Sequence, residues 1–215
     1  MKRLAASALI AAAVPSTVAQ AHPHIFVSVE VAVTYENNRP TAVELAWIYD
    51  DYFSLLLLTD LGLDLDADMI LTPEEKQILA ASVTQWPPDF GGDLEVMQNG
   101  ALIPLQDRVN HTMVFENGIV REVHTRPLIA DDTATTIRVY DPYYYVAYEL
   151  IGSVTIKGRD DCEALITPAN LDAAYTLVEE LLYGRPATGD GADDYFPEVG
   201  EAFADTIEIT CASSD

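Results

Sequence analysis

Four histidines carry most of the coordination chemistry open to this chain: His22, His24, His111 and His124. Neutral imidazole is the commonest protein ligand for divalent transition metals. His22 gains a second donor if proteolysis makes it the first residue, because an α-amine and its own ring then chelate one ion. That amine, with a reference pKa of about 7.7–8.0, is partly deprotonated at neutral pH and competes for a metal. Pro23 has no amide proton to give up, which disfavours the square-planar copper or nickel motif built from successive deprotonated amides. In an extended chain His24 projects to the same side as His22.

The other two histidines flank Asn117-Gly118, a dipeptide typical of two-residue hairpin loops. His111 and His124 each lie five residues beyond the flanking pair Glu116 and Ile119. With an unbroken register they are direct cross-strand partners, Cβ atoms roughly 4.5–5.5 Å apart, with Met113 and Glu122 the next pair on that face. A slip of one residue breaks that pairing. Together the four rings form a candidate site for zinc, nickel, cobalt or copper. The competing reading of His111 and His124 is an ordinary strand pair.

A second constellation uses oxygen. The segment DLDADMILTPEE puts Asp64, Asp66, Asp68 and Glu75 at positions 1, 3, 5 and 12 of an EF-hand-like loop. Ile70 would offer its carbonyl at position 7 and Thr72 a hydroxyl or water contact at position 9. Leu71 suits the apolar anchor between them. Calcium prefers such hard ligands. One position dissents: Met69 stands at position 6, where the sharp turn favours Gly and a side chain costs about 1 kcal/mol. The competing reading is an acidic, solvated loop whose Thr72 and Glu75 merely cap a helix. No Gly-rich phosphate loop, nucleophile elbow or HExxH is present, and no Ser–His–Asp arrangement can be argued. A non-catalytic protein is expected.

The elements that would position these groups are legible in outline. Lys2 and Arg3, an apolar Leu4–Val14 run and Ala19-Gln20-Ala21 form a cleavable secretory signal, residues 1–21. The apolar run is too short to anchor in a bilayer, which takes roughly 20 residues. Cleavage would leave residues 22–215 as one periplasmic domain that begins at His22. It would also take the formal charge from −24 to −26, because two cations and no acids are removed. Such a surface repels nucleic acid and anionic lipid and concentrates cations. Solubility alone would also explain it. In an oxidising compartment the two cysteines, Cys162 and Cys211, favour a disulfide over a thiolate metal site.

His24–Tyr35 alternates with period two, as a half-buried strand does, and Asn37-Asn38-Arg39-Pro40 turns it into a returning strand over Thr41–Ile48. A helix runs from Asp50 toward a Gly62 cap. A second starts at Pro73, with Thr72 and Glu75 as a capping box, and Trp86-Pro87-Pro88 ends it. Further strands are expected beside Asn99-Gly100 and over Thr135–Tyr140, Tyr143–Leu150, Ser153–Lys157 and Thr206–Cys211. Asn170–Tyr183 patterns as an amphipathic helix and Gly184–Pro197 as a mobile loop. The fold class is α+β: a mostly antiparallel sheet or sandwich, a helical pair inserted over residues 50–86, a C-terminal helix and one disulfide. Asp141-Pro142-Tyr143-Tyr144-Tyr145 is aromatic-dense, and packing explains that better than a ligand platform.

His22-Pro23-His24-Ile25-Phe26 after a signal, WIYDDYF from Trp47, the EF-hand-like loop, Asp141-Pro142-Tyr143-Tyr144 and the late cysteine pair occur here in a fairly specific order. In this they resemble a proteobacterial domain-of-unknown-function family, labelled a periplasmic component of an uncharacterised ABC-type transport system. Its members are commonly encoded beside nickel/cobalt exporter-type membrane proteins. The resemblance implies a periplasmic accessory protein that binds a divalent transition metal and works with an inner-membrane metal transporter. The alternative is a structural or adaptor protein holding at most calcium. A copper enzyme built on His22 is a distant third. The family's loop generally carries Gly where this chain has Met69.

Overall fold

The computed structural model describes residues 23–82, 86–87, 90–130, 134–183 and 196–212. The expected signal, His22 and most of the Gly184–Pro197 loop lie outside the described residues.

Two sheets pack face to face. The first is built on β1 (Ile25–Glu36) and β2 (Arg39–Tyr49), an antiparallel hairpin in which Val27 faces Tyr49 and Glu36 faces Arg39. Asn37 and Asn38 make its two-residue turn at φ of 49° and 64°, a conformation asparagine tolerates better than most residues. β5 (Val109–Glu116) and β6 (Ile119–Pro127) extend the sheet beyond β2. On the other edge β8 (Val146–Leu150) and β9 (Thr155–Lys157) run parallel to β1. The second sheet has the order β10-β11-β7-β3-β4: β3 is Leu94–Gln98, β4 Ala101–Leu102, β7 Thr135–Val139, β10 Cys162–Thr167 and β11 Thr206–Cys211. Asn99-Gly100 and Asn117-Gly118 are two-residue turns, as their sequences predict.

The core follows from the alternation. Val27, Val29, Val31 and Val33 of β1 and Val43, Leu45 and Trp47 of β2 meet Leu94, Val96, Ile137, Ile207 and Ile209 of the second sheet. Cys162 and Cys211 are cross-strand neighbours on β10 and β11, and they are bonded. That bond closes a loop of 49 residues, a constraint worth about 4 kcal/mol on the chain-entropy view.

The helical insert comprises α1 (Asp51–Leu61) and α2 (Pro73–Ala81). Asp50 caps α1 through Phe53 N–H, and Gly62 ends it at φ 66°. Thr72 and Glu75 form the expected capping box on α2. The pair has its own small core: Leu58, Leu63, Leu71 and Leu79 pack on Met113, Phe115 and Val120 of the β5–β6 hairpin. Ser54, fully buried, accepts a hydrogen bond from Val120 N–H at 2.9 Å and pins α1 to β6. The C-terminal helix α3 (Leu171–Leu182) buries Ala174 and Val178 against Phe196, Val199 and Phe203.

Three expectations are corrected. α2 ends at Ala81, before the Trp86-Pro87 break. The strand expected from Tyr143 begins only at Val146, because Tyr143–Tyr145 belong to a turn in which Asp141 accepts from Tyr143 N–H and Val146 N–H. The hairpin register also shifts. Val109 faces Thr125 while Thr112 faces Val123, so Asn110 and His111 together oppose the single His124. Asn110, at φ 54°, makes the bulge, and His111 and His124 are not direct partners.

Candidate functional site

Three segments far apart in sequence meet at the start of β1. His24 N–H donates to the carbonyl of Tyr145 at 2.8 Å, and the exposed imidazole lies on the Tyr145 ring at 4.5 Å between centroids. Two residues on, Phe26 N–H donates to Asp50 Oδ2 at 2.9 Å, while Asp50 N–H returns a bond to Phe26 C=O. Asp141 holds the turn that presents Tyr145. Beside this junction is an open cleft of about 390 Å³, with Phe26, Tyr49, Tyr144 and Phe203 among its aromatic walls and the carboxylates Asp50, Glu149 and Asp205 on its lining.

A second cluster is buried. The inward face of β6 carries Val120, Glu122, His124 and Arg126 in succession, so three polar side chains sit where the pattern calls for apolar ones. Glu122 is 1% exposed. Its Oε1 accepts from Arg108 at 3.1 Å and lies 3.0 Å from His111 Nε2; Oε2 accepts from the Tyr49 hydroxyl at 3.0 Å. Burial raises its pKa, opposed by His111, Tyr49 and Arg108. Burial, with Glu122 beside it, also pushes the Tyr49 hydroxyl well up.

His124 is fully enclosed and meets Trp47 and Trp86 edge-on at 4.6 and 4.9 Å. Neither ring nitrogen has a hydrogen-bond partner among the described residues; Nδ1 is 4.0 Å from Glu122 Oε1. Burial, then the nearby arginines, lowers its pKa to about 3, so the ring is neutral. Arg108 lies over Trp86 at 4.3 Å, and Arg126 reaches the Gly91 carbonyl. Gly92, at φ 78°, has no room for a side chain: a Cβ there would stand 2.5 Å from the Trp86 ring. Next to it, Asp93 accepts from Tyr148 at 2.7 Å, and burial lifts its pKa to about 7.

The acidic loop is the third cluster. Asp64, Asp66 and Asp68 bring ligand oxygens within 4.8 Å of one another, the one such convergence of three His, Cys, Asp or Glu side chains among the described residues. Asp64 Oδ1 accepts from the N–H groups of Asp68 and Met69. Met69 adopts φ 64°, the left-handed turn that position 6 requires, and Leu71 is buried as the anchor. Glu75 faces the loop's first residue, accepting from Asp64 N–H at 2.9 Å and from Thr72 at 2.8 Å.

A family model described as a protein of unknown function, DUF1007, matches residues 7–211 of the 215. The chain belongs to the DUF1007 family. No curated protein matches it.

Three of the five segments that carry the family resemblance, represented by His24 and Phe26, Asp50, and Asp141–Tyr145, meet at the start of β1 in this DUF1007 chain, whereas the acidic loop and the cysteine pair lie elsewhere. The three described histidines of the expected set, His24, His111 and His124, do not gather. The registers put Val29, Trp47 and Glu122 level across three strands. His24 is five residues up β1 from there, so about 17 Å along and about 10 Å across from the buried cluster. His22 lies outside the described residues, and His111 and His124 sit at Glu122 instead. Ile70 N–H donates to Asp68 Oδ1 at 2.8 Å, and the hydroxyl of Thr72, the N-cap of α2, donates to Glu75 Oε2 at 2.8 Å. Glu122, Arg108, Tyr49 and Asp93 were not singled out as a site by the sequence. The available signal was Glu122 two residues before His124, on the same face of a hairpin strand.

Proposed function

We propose that this DUF1007 protein is a periplasmic, non-catalytic accessory protein that binds a divalent transition metal (zinc, nickel, cobalt or copper) for an inner-membrane metal transporter. The observation that supports it is the junction at the start of β1. There an exposed imidazole, His24, two residues after His22, is held where three motif segments converge beside a cleft lined by three carboxylates. His22, once freed by signal cleavage, adds an amine and a second ring. The disulfide supports an oxidising compartment. At the buried cluster the position a cation would take on Glu122 is filled by Arg108, so His111 and His124 are better read as the enclosure of a buried carboxylate.

Calorimetric titration of zinc, nickel and cobalt into correctly processed protein tests this. His24→Ala and an added residue before His22 should each weaken binding by tenfold or more, about 1.4 kcal/mol, while His111→Ala leaves it intact. Unchanged binding in the first two variants, or none in the parent, would overturn the assignment.

A second reading rests on a separate observation, the three converging aspartates, and gives the insert a structural calcium ion. A calcium titration that changes neither heat nor melting temperature removes it.

A further inference from the structure

The helical insert exposes more apolar side chain than its own packing explains. Along α1, Tyr52, Leu55 and Leu56 recur at helical spacing on the face opposite Ser54 and Leu58, and they are 72%, 59% and 41% exposed. In the loop that follows, Leu65 and Ile70 are 86% and 67% exposed. A helix apolar on both faces ordinarily has both covered. Here one face lies on the β5–β6 hairpin, and no described residue covers the other.

The charge of the insert that carries this face selects its occupant. Residues 51–81 carry Asp51, Asp60, Asp64, Asp66, Asp68, Glu74 and Glu75 against a single cation, Lys76. A second copy would bring the same acids to the contact, and the chain's net charge of −24 opposes self-association as well as anionic lipid. Residues 184–195 contain no Leu, Ile, Val, Met or Phe and are poorly suited to fill it. We propose that the outer face of α1, with Leu65 and Ile70, docks a cationic amphipathic helix of a partner protein. Its apolar stripe would lie on Tyr52, Leu55 and Leu56, and its lysines or arginines would meet the acidic residues of the insert, a helix-on-apolar-face contact favoured by opposite charge.

The probe is a fluorescent Leu/Lys peptide of about 18 residues with leucines at i, i+3, i+4 and i+7, titrated by anisotropy into the full processed protein. The same peptide scrambled to destroy the stripe is the control. Saturable binding at roughly micromolar Kd is expected, at least about tenfold tighter than the scrambled peptide and weakened about tenfold or more by Leu55→Gln with Ile70→Gln. Both substitutions are at exposed positions, so an unchanged melting temperature certifies the fold. Equal affinity for the scrambled peptide, or for the variant, would reduce the effect to bulk charge and overturn the proposal. No saturation by about 100 μM would do the same. So would self-association abolished by Leu55→Gln, or sedimentation with phosphatidylcholine/phosphatidylglycerol vesicles that depends on Leu55; these assign the face to a second copy or to lipid.

Discussion

His111 Nε2 stands 3.0 Å from Oε1 of Glu122, a carboxylate with almost no exposure to solvent. The bulge at Asn110 makes that contact, because it takes His111 out of register with His124. A buried charge left without its counter-ion is among the costliest of single changes. Arg108→Met should therefore destabilise by about 3 kcal/mol. Adding Glu122→Gln to it should cost less than the sum of the two single changes, by about 1 kcal/mol or more. Urea unfolding of the four proteins in the cycle checks both figures.

Asp93 gives a pH dependence of definite sign. Its folded pKa, about 7, lies above its ordinary 3.8 because burial disfavours the charged form. The folded state therefore holds the proton more tightly, and stability from this group is complete below pH 4 and declines as pH rises to 7. Asparagine also tolerates the local φ of 50° and keeps an acceptor for Tyr148. Asp93→Asn should thus be more stable than the parent at pH 8, by up to about 4 kcal/mol, and equal to it near pH 3.5. A gain at both pH values would mean that packing, not ionisation, sets the difference.

His124 runs the other way. Its folded pKa of about 3 lies below 6.5, so the unfolded chain takes the proton first and stability is lost as pH falls from 6.5 toward 3. Imidazole resonances should show His124 still neutral at pH 4.5 in the folded protein. Titration near pH 6 would show that the ring is not enclosed as described.

Met69 occupies a left-handed position where its Cβ is strained. Met69→Gly should raise stability by about 0.5–1 kcal/mol and, if calcium occupies the loop, raise calcium affinity with it. Met69 also lies against Gly118 of the hairpin turn, so loss of that packing sets the lower end of the range. Thermal unfolding with and without calcium separates the two effects.

The sequence made the local elements plain and the long-range ones obscure. Asn-Gly turns, the Thr72/Glu75 box and the Gly62 cap depend on a few neighbouring residues, and all three formed as expected. The pairing of Cys162 with Cys211 followed from compartment chemistry alone. The bulge did not: Asn110 is a residue type that tolerates a left-handed φ, but nothing in the alternation around it marks the strand as carrying an extra residue there. β10, Cys162–Thr167, was missed: it alternates only weakly, and its place is set by pairing with β11. Glu122 was hidden for a related reason. A charged residue on an inward face is recognisable only once Arg108, fourteen residues earlier, and Tyr49, from another hairpin, are seen to surround it.

The parallel contact between β1 and β8 bears on how the chain acquires its shape. Ile25 pairs with Val146, 121 residues further on, whereas β2 is joined to β1 by two residues. A chain delivered amino end first can close the β1–β2 ribbon at once, yet leaves one margin of β1 open until most of the polypeptide has arrived. At about 5–20 residues per second that interval lasts on the order of ten seconds. Throughout it a valine-rich edge of β1 is left for the wrong neighbour, a margin that only the arrival of the eighth strand closes.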